Sequence, residues 1–172
     1  MSTSRRRIRA RHLASPALAA ATLLLAGAGG AGADARCREV SGQYREALAP
    51  DGCTSPVGLC IDAHYTDGPL QGTFSGTATS FVGTADSAAT GVALFTTDTV
   101  ADVDAWGRSG TLVIKNAGAF HSSGLGEIVD LQTIVGGTGD FAGATGALRA
   151  SGTFDPVAGM GTSTYEGTVC VP

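Results

Sequence analysis

Five glycines fall in the eleven residues Gly136-Gly137-Thr138-Gly139-Asp140-Phe141-Ala142-Gly143-Ala144-Thr145-Gly146, and strand-like patterns flank them on both sides. Such a density of glycine admits positive φ and close backbone approach, which bulkier residues forbid. Sustained apolar alternation stops at Gly136 and resumes at Ala147. The run therefore reads as a tight connection between two strands, with Phe141 turned into the adjoining interior as a plug. It also fits the loose fingerprint Gly-x-Gly-x-x-Ala through Gly137–Ala142, but the glycines that follow make a poor helix to aim at a pyrophosphate. A calcium-binding glycine repeat fails as well, because Asp140 is one position early and no tandem copy follows.

The rest of the chain repeats the β pattern. Segments with period-two character are separated by turn residues, and amphipathic 3.6-residue periodicity is scarce. The expected strands are Arg38–Leu48, Leu59–Tyr65, Leu70–Ser80, Gly91–Asp98, Thr111–Ala119, Glu127–Val135, Gly146–Phe154 and Thr162–Val171. Turn signals lie at Pro50–Gly52, Asp67–Pro69, Trp106–Gly110 and Asp155–Gly159. Eight short strands suit an all-β, closed antiparallel barrel, which leaves no exposed edges; a two-sheet sandwich is the structural rival.

Residues 1–35 read as a signal peptide and 36–172 as one domain. Arg5, Arg6, Arg7, Arg9 and Arg11 form a basic region, Leu18–Ala28 an apolar core, and Ala33-Asp34-Ala35 a small-x-small cleavage site. The apolar run is short for a transmembrane helix, so the expectation is a secreted protein with no stable membrane insertion after cleavage. The leader takes five of the eleven basic residues and one of the fifteen acidic ones. Six basic and fourteen acidic side chains remain, a formal charge of −8. That balance, without a basic stripe, argues against nucleic acid as a partner.

All four cysteines lie beyond the leader, and an even count in an oxidising compartment reads as two disulfides with three possible pairings. The end strands discriminate among them. Val40, Tyr44 and Leu48 share one face of the first, and Tyr165 and Val169 share one face of the last. If those faces point inward, Cys37 and Cys170 both point out, and antiparallel closure sets them side by side with Tyr165 across from Gly42. The expected bridges are thus Cys37–Cys170 at the seam and Cys53–Cys60 as a staple of the first loop.

Chemistry-bearing patterns are sparse. Asp98, Asp102 and Asp104 form an acidic cluster that reads as a solvated hairpin rather than a calcium loop. No Gly-x-Ser-x-Gly elbow occurs, and His64 and His121 read as loop or rim residues, although His121 precedes Ser122 and Ser123. No metal-ligand spacing or cofactor motif emerges. Acid–base chemistry has more support. By parity, Tyr44, Asn116 and Tyr165 face inward, and Glu127 shares a face with Val129, Leu131, Thr133 and Val135. These four could converge in an apolar cavity, where a carboxyl would hold its proton more tightly and shuttle it. The plainer reading, which the pattern favours, sets Glu127 at the strand mouth in water and lets the tyrosines simply fill the core.

The glycine run, with its Gly-Gly-Thr-Gly-x-Phe-Ala-Gly order, resembles the signature of the allene oxide cyclase and dirigent-like β-barrels, and the resemblance extends over roughly Thr111–Val171. The loop Cys53–Cys60 also resembles those of exported bacterial proteins carrying this barrel. The resemblance implies a cofactor-independent apolar cavity that holds a flexible, reactive lipophile in one conformer, as cyclases and phenoxy-coupling proteins of this class do. No catalytic residue of those relatives carries over to a position here. The functional expectation is binding of a small hydrophobic molecule, with guidance of its cyclisation or coupling. The alternative is a non-enzymatic extracellular structural or interaction module. Related barrels associate through exterior apolar faces, so a homo-oligomer is compatible with the pattern.

Overall fold

The computed structural model describes residues 35–123 and 126–172, so the leader expected over 1–35 lies almost wholly outside the described residues. The described chain forms a closed antiparallel barrel of eight strands in sequential order. They are β1 (Arg36–Leu48), β2 (Cys60–Asp67), β3 (Gln71–Gly83), β4 (Val92–Ala105), β5 (Arg108–His121), β6 (Glu127–Gly137), β7 (Thr145–Asp155) and β8 (Met160–Val171). A single helical turn, α1 (Ser87–Thr90), joins β3 to β4, and a 3₁₀ turn over Gly139–Phe141 joins β6 to β7.

Closure occurs where the sequence pattern places it. β1 pairs with β8 so that Cys37 opposes Cys170 and Gly42 opposes Tyr165. Cys37–Cys170 and Cys53–Cys60 are both bridged. Gly42 is required at its position: a Cβ there would lie 2.6 Å from the Tyr165 hydroxyl and would collide with the Asp67 carbonyl.

Every expected strand is present, and most run longer than their apolar patterning suggested. The largest difference is β4, which continues to Ala105. Asp98, Asp102 and Asp104 therefore stand on its outer face rather than in a hairpin, with Asp98 paired to Lys115 at 2.7 Å and Asp104 accepting a hydrogen bond from Ser109. The β4–β5 turn shrinks to Trp106 and Gly107, both at positive φ. Valine and alanine at the alternate positions Ala101, Val103 and Ala105 bury the inner face and carry the strand through the acidic stretch.

The interior is layered along the barrel axis. One end is sealed: Phe141, from the glycine-rich connection, is 0% exposed and packs with Leu70, Leu112, Val103 and Val169. Gly139, at φ 59, supplies the left-handed backbone that turns the chain back so that Phe141 reaches this position. Above the seal, Tyr44, Tyr65, Phe74 and Tyr165 form an aromatic layer with ring centroids 5.1–6.5 Å apart.

Candidate functional site

At the opposite end the barrel is open. The far ends of β1, β3, β5 and β7 and the near ends of β2, β4 and β6 surround a cavity of about 430 Å³. That volume falls within the ordinary range for small-molecule sites, about 300–1,000 Å³. Small inward residues, Gly76, Ala78 and Thr97, leave the space, and four phenylalanines, Phe81, Phe95, Phe120 and Phe154, stand around it. Phe120 lies 6.4 Å from Phe81 and 6.3 Å from Phe154, centroid to centroid. The loop that Cys53–Cys60 staples contributes Val57, Gly58 and Leu59 to the wall. It is held to β3 by the Ser55 hydroxyl donating to the Ala78 carbonyl (2.6 Å) and by the Ala78 N–H donating to the Leu59 carbonyl (2.9 Å).

Glu46 is the charged residue in that wall. It follows Tyr44 on the inner face of β1 and is 6% exposed. Its hydrogen bond is a long one, received from the Ser163 hydroxyl at 3.4 Å. Burial, reinforced by the nearby Asp130 carboxyl, pushes the Glu46 carboxyl up to about 7. Asp130, 8% exposed, stands one inward position deeper than Ile128 on β6. It accepts hydrogen bonds from Asn116 Nδ2 (3.0 Å) and Gln132 Nε2 (3.3 Å). Burial raises it to about 6 against the opposing pull of those two donors. Gln132 also reaches the Tyr44 hydroxyl at 3.4 Å, and burial with the two carboxyls beside it holds the Tyr44 phenol well above its usual range. Asn116 Oδ1 is buried without a hydrogen-bond partner. Glu46, Ser163, Asp130, Gln132 and Asn116 thus make a polar belt between the aromatic layer and the cavity.

Tyr44, Asn116 and Tyr165 face inward as the parity argument requires. Glu127 does not. The inner face of β6 is Ile128, Asp130, Gln132 and Ile134, while Glu127, Val129, Leu131, Thr133 and Val135 point out. β6 carries apolar residues on both faces, and the more apolar one is the exterior. There Leu131 opposes Ala117 and Val129 opposes Ala119 across the ladder to β5. A bulge at Val135, where Val113 and Ile114 face Gly136 and Ile134, adds a further break in alternation. The residues that reasoning from apolar parity missed are Glu46, Asp130, Gln132 and Ser163. Glu46 was legible, since it shares the parity of Tyr44 and Leu48. Asp130 had a signal too, because an inward Asn116 on the neighbouring strand needs a buried partner.

Glu127 belongs instead to a rim cluster. His121 Nδ1 lies 3.2 Å from Glu127 Oε2, and His121 Nε2 lies 2.6 Å from Ser123 Oγ. The order Ser–His–Glu matches a hydrolytic triad in connectivity, but the Ser123 hydroxyl is also engaged with the backbone, 3.1 Å from the Thr90 carbonyl that accepts from it, and the whole cluster is exposed at the rim. The cluster fastens the β5–β6 connection to α1, as does the Ser122 hydroxyl donating to the Gly91 carbonyl. His64 lies on the outer face of β2, a strand residue rather than a loop one. Among the described residues, no group of three histidine, cysteine, aspartate or glutamate side chains converges as a metal site would require.

No protein-family model matches the chain, and no curated protein matches it. Among solved structures it is similar to a pterocarpan synthase dirigent protein, at a TM-score of 0.48 and 18% identity over 80% of this chain and 86% of that one. The strand register closes the barrel by itself, from β1 round to β8.

Proposed function

We propose that this is an exported barrel protein whose open end takes in a small hydrophobic molecule and holds it in one conformation without a cofactor. The observation that carries the reading is the pairing of an apolar cavity of about 430 Å³ with a buried carboxyl in its wall. A buried acid with no internal cation costs stability, and sequences keep such groups where a ligand or a proton must be handled. None of the described lysines or arginines is buried. For a reactive guest, fixing one conformer guides cyclisation or coupling, because orientation alone removes several kcal/mol of barrier. The glycine-run resemblance agrees with this role, and the two disulfides agree with export to an oxidising compartment. The filled half of the barrel suits a purely structural module; the open half favours the ligand reading.

Native mass spectrometry of protein purified from its own host tests the proposal. A co-purifying lipophile is expected for the wild type and should be lost in Thr97→Phe, which fills the cavity from the β4 wall. Empty protein from the host, together with no displacement of an apolar fluorescent dye by any of a panel of lipids and phenols, would sink it.

A further inference from the structure

The wall chemistry of the cavity points to a narrower class of guest, an inference that rests on the ligand-binding reading above. We propose that the open end selects lipophilic amines and ammonium ions, molecules with an apolar tail and one cationic nitrogen. Four phenylalanines present π faces or edges to one space, and Glu46 stands in the same wall. The carboxylate and an aromatic ring are neighbours: a Cβ placed on Gly161 would lie 2.7 Å from Phe154 Cδ2 and 3.1 Å from Glu46 Oε1. Aromatic faces beside a carboxylate are the combination that recognises desolvated ammonium groups.

Other guests fit the same wall less well. Among the described residues no lysine, arginine or histidine lines the cavity, so the carboxylate of a fatty acid would meet Glu46 without a counter-charge there. In the polar belt Asn116 Nδ2 and Gln132 Nε2 both donate to Asp130. In the cavity wall itself the Glu46 carboxylate is under-matched, with one long hydrogen bond from Ser163. A cation supplies what that acceptor lacks. An excess of acidic over basic residues in the chain also favours approach of a positive guest.

The test uses four ligands with one tail: octylamine, octyltrimethylammonium, octanol and octanoate, titrated calorimetrically into the intact barrel. Both cations are expected to bind at least about tenfold more tightly than octanol, with octanoate weakest. Octyltrimethylammonium cannot itself titrate, so at about pH 6 its binding should expel a proton from the protein, seen as heat that varies with the buffer's ionisation enthalpy. The groups facing Glu46 are Asp130 from β6 and Tyr44 on its own strand, and Asp130 shares in that release; Arg45, Asp62 and His64 lie on the exterior. Glu46→Gln should bring the amine-to-octanol ratio toward one, and Phe81→Leu should lower it severalfold. Should Glu46→Gln fail to fold, Phe81→Leu and the proton count decide. Octanol binding as tightly as the cations, no proton release, or a ratio unchanged by either variant overturns the inference alone. Failure of all four to bind overturns the ligand reading with it.

Discussion

The two ends of this barrel use the same eight strands to opposite purpose. At the sealed end, Phe141, Leu112, Leu70 and Val169 fill the lumen, and a disulfide joins residues 133 apart in sequence. At the open end, Gly76, Ala78 and Thr97 leave space, phenylalanines ring it, and a disulfide spans only seven positions to staple a loop over the wall. Barrel width is set by strand number and stagger, so what differs between the ends is side-chain volume. A small barrel is neither solid nor hollow by virtue of its fold. The residues at each level decide, and here they fill one end and leave the other open.

The largest consequence concerns the cross-links. Replacing Cys37 and Cys170 with serine should cost ~5 kcal/mol on the chain-entropy estimate, against ~2.5 kcal/mol for Cys53 and Cys60. Denaturant titration of the two double variants checks the ordering. Equal losses would mean that the seam is held by its ladder and not by its bridge.

Side-chain truncation probes the same contrast at smaller scale. Phe141→Ala should destabilise by about 3–5 kcal/mol, because the sealed end is close-packed and a large cavity opens there. Phe154→Ala, at a site that already borders space, should cost less than half as much. Thermal unfolding of both variants makes the comparison, and a Phe154 loss as large as that of Phe141 would mean that the mouth is packed as tightly as the seal.

A pH effect separates the ends next. Glu46 and Asp130 hold their protons more tightly folded than unfolded, with Glu46 moving from 4.5 to about 7 and Asp130 from 3.8 to about 6. Between those limits the folded chain binds more protons, so stability is greatest on the acid side of the window and falls as pH rises through it. For Glu46 the fall is on the order of 3 kcal/mol. Glu46→Gln should therefore match the wild type near pH 4.5, exceed it by about that amount near pH 8, and show a flatter profile between. Urea midpoints across the range measure it; a wild type whose stability rises over that window would contradict the burial argument.

How much of this was legible in the sequence depended on whether inside and outside differed in polarity. At the seam ends of β1 and β8 they do, although Glu46 and Ser163 face in farther along. Val40, Tyr44, Tyr165 and Val169 alternate with charged or hydroxylated residues, and that contrast was enough to place the seam, the Cys37–Cys170 bridge and the Gly42–Tyr165 contact. In β6 the contrast is reversed, since Asp130 and Gln132 face in while Val129, Leu131 and Val135 face out. Apolar parity assumes an oily interior, and it fails at the strand where the interior is polar for a reason. The glycine run announced a turn and a plugging Phe141 because those needs are local. The open mouth was illegible, because a cavity is the sum of small residues contributed by several strands and no single segment carries it.

The inverted strand yields the smallest effect and the sharpest control. Glu127 and Asp130 are three residues apart on β6, yet one is solvated at the rim beside His121 and the other is buried in the polar belt. An exposed pair of that kind contributes roughly 0–1 kcal/mol, so the loss of the His121 contact in Glu127→Gln should account for no more than that at neutral pH. Its effect should also fade with added salt, as surface pairs are screened. Asp130→Asn removes a carboxyl with a raised affinity for its proton, so its stability gain over the wild type should grow as pH rises from about 4 through about 6. Parallel urea titrations of the two variants read this out. A Glu127→Gln profile with the steeper pH dependence would place the functional face of β6 on the outside after all.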